Sequence, residues 1–359
     1  MAHHIAGLVP RSHTAVLWRD PYFDFEYDTE LPRTKRPVIA EFLHGLLGPI
    51  ILGRLLNRAQ GFLYLGQLGF LPISDRNYRE FEFRFIKSRG RALACYFVGS
   101  DIRSPVLMRE LAERTGLANL GNHLGAANPI FDTQTYDDSK RRIAAVADSF
   151  ADVVFSASVD QLSYLQRPTH PITYFYPDEK FFSDESKFDS LERPVIVHAP
   201  SNPVIKGTSL VRSAIERLRS EGYNFEYVEL AGVGNDVVRS ELRRAHIALN
   251  QFYAFIPGVF GIEALASGCA VLMSSDETIE PDLPVGSNQA WVVTRYDEVY
   301  GNLKRLLDEP ALLLPQARRG REWALENVSF SHAGPRLRSV LDQALRESRA
   351  ADLWPSITT

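Results

Sequence analysis

Residues 255–275, in the second half of the chain, are the stretch that most directly suggests ligand binding. Gly258 and Gly261 have no side chain beyond hydrogen, so a ligand can approach backbone N–H groups at the start of the helix predicted to follow. Glu263 lies just inside that helix, where its carboxylate can accept hydrogen bonds from a pair of sugar hydroxyls. The same glutamate would also stabilise a core helix by complementing its dipole. The residues alone leave both interpretations open.

A lysine forms the second candidate. Lys206 precedes Gly207 and lies between a predicted strand over residues 194–199 and a predicted amphipathic helix over residues 208–221. A loop that leads from a strand into a helix is sterically suited to a phosphate group, and the lysine adds a positive charge to the helix dipole. Charge-assisted hydrogen bonds of this kind contribute about 1.5–3 kcal/mol each. The alternative is an ordinary lysine exposed to solvent.

Three further candidates follow predicted strands in the first half. Asp101 and Arg103 come after a predicted strand over residues 91–99, and His123 comes after another over residues 117–122. Ligands of open parallel sheets bind outside the carboxyl ends of the strands, so all three side chains are candidates for a cleft.

Two of the first-half residues also have a structural interpretation. Asp101 is equally suited to cap the helix that begins near Pro105. His44, beside the start of a predicted helix, is either a capping or partly buried residue or a functional one. The sequence does not decide between these roles.

The elements that must position these residues alternate between strand and helix, which predicts parallel sheets covered by helices. The strands are predicted over residues 15–18, 61–67, 91–99, 117–122, 152–157, 194–199, 225–230, 246–251, 270–273 and 289–294. The helices are predicted over residues 49–59, 78–88, 136–149, 159–166, 208–221, 237–245, 297–307, 311–327 and 335–353.

Composition supports a globular protein and gives no electrostatic reason to expect nucleic acid. The 359 residues are 45% hydrophobic, and the formal charge of -4 combines both signs. Cys95 and Cys269 lie in apolar, strand-like contexts and are interpreted as reduced core residues, so neither a metal site nor a disulfide is predicted. The most apolar long stretch, residues 49–73, is interrupted by polar residues, glycines and a proline, which argues against a membrane span.

The segment GVFGIEALASGCAVL resembles the donor-binding segment of nucleotide-sugar glycosyltransferases with the GT-B fold, of the retaining group 1 or family 4 type. In that family a glycine-rich loop is followed by E-A-x-A-x-G-x-P-V. The matching residues are Glu263, Ala264, Ala266, Gly268 and Val271. Two positions depart from the pattern, since Ala270 replaces the proline and Phe255 stands where the family carries an earlier glutamate.

A second match, HAPSNPVIKGT, resembles the family's diphosphate loop, in which Lys-Gly is typical and Ser201 replaces an arginine. The resemblance implies a donor-binding set of Ser201, Asn202, Lys206, Gly207, Gly258, Val259, Phe260, Gly261 and Glu263. It implies catalytic candidates His123, Asp101 and Lys206, and acceptor-side candidates Arg103 and His44.

The resemblance implies a fold of two facing Rossmann-like domains, each built on a doubly wound parallel sheet. Residues 1–13 resemble a purification-tag remnant. The predicted organisation is an acceptor-side domain over residues 14–178, a linker over 179–193, a nucleotide-sugar-binding domain over 194–334, and a C-terminal helix over 335–359 that crosses back to the first domain.

The function implied is metal-independent transfer, with retention, of a hexosyl group from a nucleotide diphosphate sugar to an acceptor hydroxyl in bacterial glycan, polysaccharide or glycoconjugate synthesis. No cofactor is expected beyond the donor substrate. The acceptor is a glycan, a lipid-linked molecule or a small molecule, and the location is cytoplasmic, with peripheral contact at the inner face of the membrane left open. The alternatives are a catalytically silent nucleotide-sugar-binding subunit and a nucleotide-sugar epimerase. The base, the sugar, the acceptor and the oligomeric state stay undetermined.

Overall fold

A computed structural model of the chain describes residues 2–9, 11–16, 25–31, 37–71, 77–182 and 184–353. Within these ranges the strands form three sheets in which every pair of neighbours is parallel. The strands are β1 (Ala15–Val16), β2 (Thr29–Glu30), β3 (Gly61–Leu65), β4 (Ala92–Tyr96), β5 (Val153–Phe155), β6 (Val195–His198), β7 (Glu226–Glu229), β8 (Ile247–Leu249), β9 (Ala270–Met273) and β10 (Val292–Val293). The strand orders are β1-β2, β3-β4-β5 and β10-β9-β8-β6-β7.

Helices connect most of these strands, as the parallel pairing requires. The α-helices span Ala2–Leu8, Pro37–Leu56, Glu80–Ser88, Pro105–Thr115, Leu124–Ala127, Gln134–Phe150, Pro203–Lys206, Thr208–Ser220, Asn235–Arg244, Gly258–Ala266, Ser287–Ala290, Val299–Asp308, Leu313–Val328 and Phe330–Leu353. Short 3₁₀ helices span Leu120–Asn122, Pro129–Asp132, Asp178–Lys180, Ser186–Phe188 and Pro310–Leu312.

The five-stranded sheet is buried on both faces, which explains the unbroken apolar runs of its central strands. Successive side chains of a strand point to opposite faces. In β9, Ala270 and Leu272 therefore join one core, and Val271 and Met273 join the other. The predicted α/β class with parallel sheets is confirmed.

The three-stranded sheet is covered by helices from both ends of the chain. Leu337 and Ala344 of the helix Phe330–Leu353 pack with Ala94 and Tyr96 of β4. Ile5, in the helix Ala2–Leu8, is buried in the same cluster. Residues from positions 5 and 337 thus share one core with the sheet.

Two element predictions in the first half are wrong. Residues 117–122, expected as a strand, contain the 3₁₀ turn Leu120–Asn122, because Asn119 and Asn122 form reciprocal side-chain hydrogen bonds to backbone N–H groups. Residues 159–166, expected as a helix, form a turn and an extended segment. The carbonyls of Asp160 and Leu162 accept hydrogen bonds from Arg103 and Ser104, so they are not available to a helix.

Two helices start earlier than predicted. The helix expected over residues 49–59 begins at Pro37, so His44 lies within it and does not flank its start. The last helix begins at Phe330 and contains Pro335 in its interior. The predicted strand over residues 15–18 is present at Ala15–Val16, and its last two positions lie outside the described residues.

The segment 251–257, which follows β8, lies against the first half of the chain. The backbone N–H of Leu120 donates to the carbonyl of Tyr253 at 2.9 Å. Phe255 is buried in a cluster with Met108 and Leu111 of the helix Pro105–Thr115. The loops after β4, β5, β8 and β9 all take part in this contact, so the carboxyl ends of the two larger sheets face each other.

Candidate functional site

Two local features position Lys206 in the segment after β6: a helix cap and a glycine with positive φ. Asn202 caps the short helix Pro203–Lys206, accepting from the N–H groups of Val204 at 3.1 Å and Ile205 at 3.3 Å. Gly207 then takes φ 74°, a left-handed conformation that glycine adopts at little cost, and the helix Thr208–Ser220 begins. The lysine is therefore held directly before a helix start, as the sequence predicted.

The ammonium of Lys206 is half-buried and hydrogen-bonded to a neutral group. It donates to Oε1 of Gln251, whose Nε2 donates to the carbonyl of Ile256 at 2.5 Å. Burial lowers the pKa of Lys206 to about 8, and the nearby Asp160 carboxylate acts in the opposite direction. No described residue forms an ion pair with it, so an incoming anion would meet a cation without a charged partner.

A buried histidine fixes the start of the helix beside the lysine. The Nδ1 of His198 is 2.7 Å from the carbonyl of Leu249, and its Nε2 is 2.9 Å from Oγ1 of Thr208. Because a carbonyl only accepts, Nδ1 carries the hydrogen and Nε2 accepts from the hydroxyl. Burial lowers the pKa of His198 to about 4, so the ring stays neutral near pH 7. The strand end and the helix start are thereby held in one position.

The segment after β8 leads to Gly258 and Gly261, and the two positions are glycine for different structural reasons. Gly258 has φ 66°, and a Cβ there would lie 3.5 Å from Nε2 of Gln251, the partner of Lys206. A Cβ on Gly261 would lie 2.6 Å from Nδ2 of Asn250, so this glycine is required by internal packing. Of the intervening residues, Val259 is exposed and Phe260 packs partly against the sheet.

Glu263 is almost fully buried and already has a neutral partner. Its Oε1 accepts from Nδ2 of Asn235 at 2.7 Å, at the start of the helix that follows β7. Burial raises the pKa of Glu263, and the Asn235 hydrogen bond opposes that shift. The glutamate thus faces the loop after β7, and no described hydrogen bond connects it with Lys206.

On the first-half side of the contact between the two larger sheets lies a buried ion pair. Arg103 donates to the carboxylate of Asp160 and, through Nε, to the Asp160 carbonyl at 2.6 Å. The other carboxylate oxygen of Asp160 accepts from the backbone N–H of Phe255 at 2.7 Å. One carboxylate therefore joins the turn after β4 to the segment after β8.

A second carboxylate, from the second half of the chain, bonds to the backbone of the first half. Glu280 is fully buried and accepts from the backbone N–H groups of Ser158, Val159 and Asp160 at 3.1, 2.9 and 2.7 Å. Its pKa is raised to about 7, mainly by burial, while the N–H groups of Asp160 and Val159 partly oppose that change. Asp282 adds hydrogen bonds of 2.9 and 2.6 Å to the N–H and Oγ of Ser158.

The remaining predicted residues are placed as follows. His123 stacks on Tyr253 with ring centroids 3.7 Å apart, and a Cβ on Gly207 would lie 3.4 Å from Cε2 of Tyr253. His123 lies between a 3₁₀ turn and a helix, so its predicted place at the end of a strand is wrong. Ser201 is exposed beside the capping residue Asn202.

Asp101 and His44 have local partners. Asp101 accepts from the Val98 N–H at 2.9 Å, and burial raises the pKa of its carboxylate. The alternative in which Asp101 caps the next helix is wrong, because Ser104 accepts from the Leu107 N–H and occupies the capping position. His44 contacts the carbonyl of Gly69 at 3.1 Å, and no described contact brings it to Lys206.

Sequence reasoning missed four residues that shape the site. They are Asp160, Asn235, Gln251 and Glu280. Each follows a strand of one of the two larger parallel sheets, and position relative to a strand end was the available signal. Apart from Ile256, the partners named above lie 28 to 122 residues away, so no local pattern identifies them.

Comparison with solved structures shows that the chain has the GT-B fold of glycosyltransferases. It superposes on sucrose-phosphate synthase from Thermosynechococcus elongatus with a TM-score of 0.56 and 12% identity, covering 89% of this chain and 82% of that one. For WaaG, a glycosyltransferase involved in lipopolysaccharide biosynthesis, the TM-score is 0.57 and the identity is 14%, with 94% of each chain covered. For Anabaena HepE in complex with UDP and glucose, the TM-score is 0.52 and the identity is 14%, covering 87% of this chain and 90% of that one. At such identities the likeness establishes a shared fold.

The other comparisons add no family. Neither the protein-family models nor the curated protein sequences match the chain. Over the ranges that the structure describes, no helix has both the length and the apolar character needed to cross a bilayer.

Proposed function

We propose that the protein is a glycosyltransferase that moves a sugar from a nucleotide diphosphate sugar to an acceptor hydroxyl. The observation that supports this most directly is the environment of Lys206. Its ammonium lies before a helix N-terminus, at the carboxyl end of a parallel sheet, with the amide of Gln251 as its partner. This arrangement suits an anionic leaving group such as a diphosphate.

The roles of the donor-side residues follow from their positions. Lys206 and the backbone N–H groups at the Thr208 helix start would stabilise the departing diphosphate, which removes the need for a metal ion. Glu263 would bind the ribose hydroxyls once they displace or share its bond to Asn235. Retention of the anomeric configuration is proposed from the resemblance of the donor segment to the retaining family.

The acceptor would enter from the first-half side of the cleft. Asp101 and His123 are the proposed acceptor-side polar groups, with Arg103 holding the turn through its ion pair. The proposed acceptors are a glycan, a lipid-linked molecule or a small molecule of bacterial glycan synthesis. Neither the silent-binder nor the epimerase alternative is favoured by the structural neighbours.

The test begins with thermal-shift measurements of the full chain with UDP, GDP, ADP and dTDP, followed by the sugar derivatives of the base that stabilises it. Release of nucleotide diphosphate is then measured with and without a mixture of glycan acceptors. Lys206→Ala should reduce the thermal shift at a given nucleotide concentration, and Arg305→Ala, which removes an exposed cation elsewhere, should leave it unchanged. Stabilisation by none of the four nucleotides would contradict the proposal.

Two outcomes identify the alternatives. Nucleotide binding without release of nucleotide diphosphate under any acceptor condition would indicate a silent binding subunit. Conversion of the donor sugar in the absence of acceptor, detected by product chromatography, would indicate an epimerase. The anomeric configuration of a transfer product, read by NMR, tests retention.

A further inference from the structure

The helix Pro37–Leu56 has one covered and one uncovered side. Leu52 and Leu56 are buried in the core of the three-stranded sheet. Phe42, Leu46 and Ile50, spaced four residues apart and therefore on one side of the helix, are 70%, 54% and 47% exposed. Single exposed apolar residues are normal, but three consecutive ones along a helix form a continuous patch. These three residues are called the apolar stripe.

The helix cannot rotate to hide the apolar stripe. A Cβ on Gly48 would lie 1.8 Å from the carbonyl oxygen of Phe70, so the helix backbone touches the loop after β3 directly. His44 contacts the neighbouring Gly69 carbonyl at 3.1 Å. Both contacts fix the helix from the side opposite the solvent, so the stripe stays exposed in the isolated chain.

The exposed charged residues that follow the stripe along the chain are both positive. Arg54 and Arg58 continue the four-residue spacing of the stripe and are exposed at the C-terminal end of the helix, whereas Glu41, the one acidic residue in the sequence of residues 37–58, precedes the stripe. An apolar helix face bordered by arginines matches the interface of an anionic bilayer, where apolar side chains enter the acyl boundary and guanidinium groups meet phosphates.

We propose that the apolar stripe, together with Arg54 and Arg58, docks the protein on the surface of an anionic lipid bilayer. The helix would lie in the interface plane without crossing it, with its Leu52 and Leu56 side still packed on the sheet.

The docking surface is structurally connected with the cleft. The loop after β3 contacts the helix at Gly48 and also reaches the cleft turn, where Nε2 of Gln67 donates to the carbonyl of Asp101 at 2.7 Å. Leu68, between these two contacts, is 51% exposed. A docked helix would therefore hold the acceptor side of the cleft near the lipid surface. The acceptor class that follows, a lipid-linked molecule, rests on the proposed glycosyltransferase function.

The experiment is flotation of the full chain with phosphatidylcholine vesicles that contain about one third phosphatidylglycerol, and with pure phosphatidylcholine vesicles. We expect binding to the anionic vesicles. The affinity of the triple variant Phe42→Ser, Leu46→Ser, Ile50→Ser for the anionic vesicles should be lower by roughly tenfold or more. The matched control, Ile130→Ser, Val237→Ser, Val285→Ser, removes three exposed apolar side chains from other surfaces and should bind as the unaltered chain does.

A second variant does not depend on the folding of the first. Arg54→Gln with Arg58→Gln should reduce binding to anionic vesicles severalfold, and added salt should reduce the binding of the unaltered chain. Equal binding of the unaltered chain to both vesicle types, or no binding to either, would overturn the proposal. So would a concentration-dependent dimer that the triple serine variant abolishes, since the stripe would then be an interface between copies.

The measurement separates this proposal from the proposed function. Nucleotide diphosphate binding is measured by thermal shift on the same variants in solution. Loss of vesicle binding with intact nucleotide binding supports the docking surface by itself. Vesicle binding that is unchanged in the stripe variant overturns the docking surface and leaves the glycosyltransferase proposal standing.

Discussion

The charged residues on the two sides of the cleft differ in the partners they keep. At the five-stranded sheet, Lys206 and Glu263 are hydrogen-bonded to the neutral amides of Gln251 and Asn235. At the three-stranded sheet, Arg103 and Asp160 form an ion pair with each other. A charge with an amide partner keeps most of its electrostatic potential for a ligand, whereas a paired charge is already neutralised. Lys206 and Glu263 are therefore suited to ligand binding, and the Arg103–Asp160 ion pair is suited to holding the two halves of the chain together.

Glu280 shows that a carboxylate can hold the halves together without a cation. Its partners are three backbone N–H groups, and its pKa is raised to about 7 because burial outweighs them. Asp160, equally buried, has the guanidinium of Arg103 beside it. Two carboxylates in one contact thus differ in what compensates their burial.

The largest effect on stability is expected from Asp160→Ala, which tests whether the Arg103–Asp160 ion pair has a structural role. The change leaves the buried Arg103 guanidinium without its carboxylate partner and the Phe255 N–H without its acceptor. We expect the free energy of unfolding to fall by about 3–5 kcal/mol, measured by urea denaturation. Asp282→Ala, at the more exposed edge of the same contact, should cost about 1 kcal/mol or less. An equal loss of unfolding free energy in both variants would contradict the structural role assigned to the Arg103–Asp160 ion pair.

Lys206→Ala tests the binding side. Loss of one charge-assisted contact should weaken nucleotide diphosphate binding by about 1.5–3 kcal/mol, or roughly ten- to more than a hundredfold, measured by titration calorimetry. Binding of the bare nucleoside should change little, because the lysine addresses phosphate. Equal weakening of both ligands would take Lys206 out of the phosphate site.

Glu263→Gln is expected to have a smaller effect on binding. The amide keeps an oxygen for the Asn235 hydrogen bond but loses the charge that the ribose hydroxyls would meet. Nucleotide affinity should fall by about 1 kcal/mol, roughly fivefold, while the melting temperature of the unliganded protein stays nearly constant. A lower melting temperature with unchanged affinity would assign Glu263 the helix-dipole role instead.

The smallest expected effect is a change of pH dependence in Glu280→Gln. Because the folded-state pKa is raised to about 7, the folded protein binds more protons here than the unfolded chain, so this group makes stability fall as pH rises from its ordinary value near 4.5 to about 7. The variant has no such group, and its unfolding free energy should vary less across that window in urea melts at several pH values. Glu309→Gln, an exposed control, should keep the original profile. An unaltered profile in Glu280→Gln would show that Glu280 does not titrate there.

Much of the fold was predictable because its signals are local. The apolar run of Ala270–Met273 and the amphipathic pattern of Thr208–Ser220 each depend on residues within one element, and both elements are present. The two wrong element predictions, residues 117–122 and 159–166, lie where distant groups or side-chain caps take the backbone hydrogen bonds. No periodic pattern reports such competition.

The candidate site divides in the same way. The sequence by itself determined the Lys206–Gly207 helix start and Glu263 inside its helix, because glycine conformation, capping and helix register depend on neighbouring residues. Only the tertiary structure decided that Asp160 pairs with Arg103, 57 residues away, and that Glu280 binds backbone groups 120 residues away. Burial and electrostatic partners are properties of the packed chain, so the same residue types are proposed ligand groups at Lys206 and Glu263 and structural groups at Arg103 and Asp160.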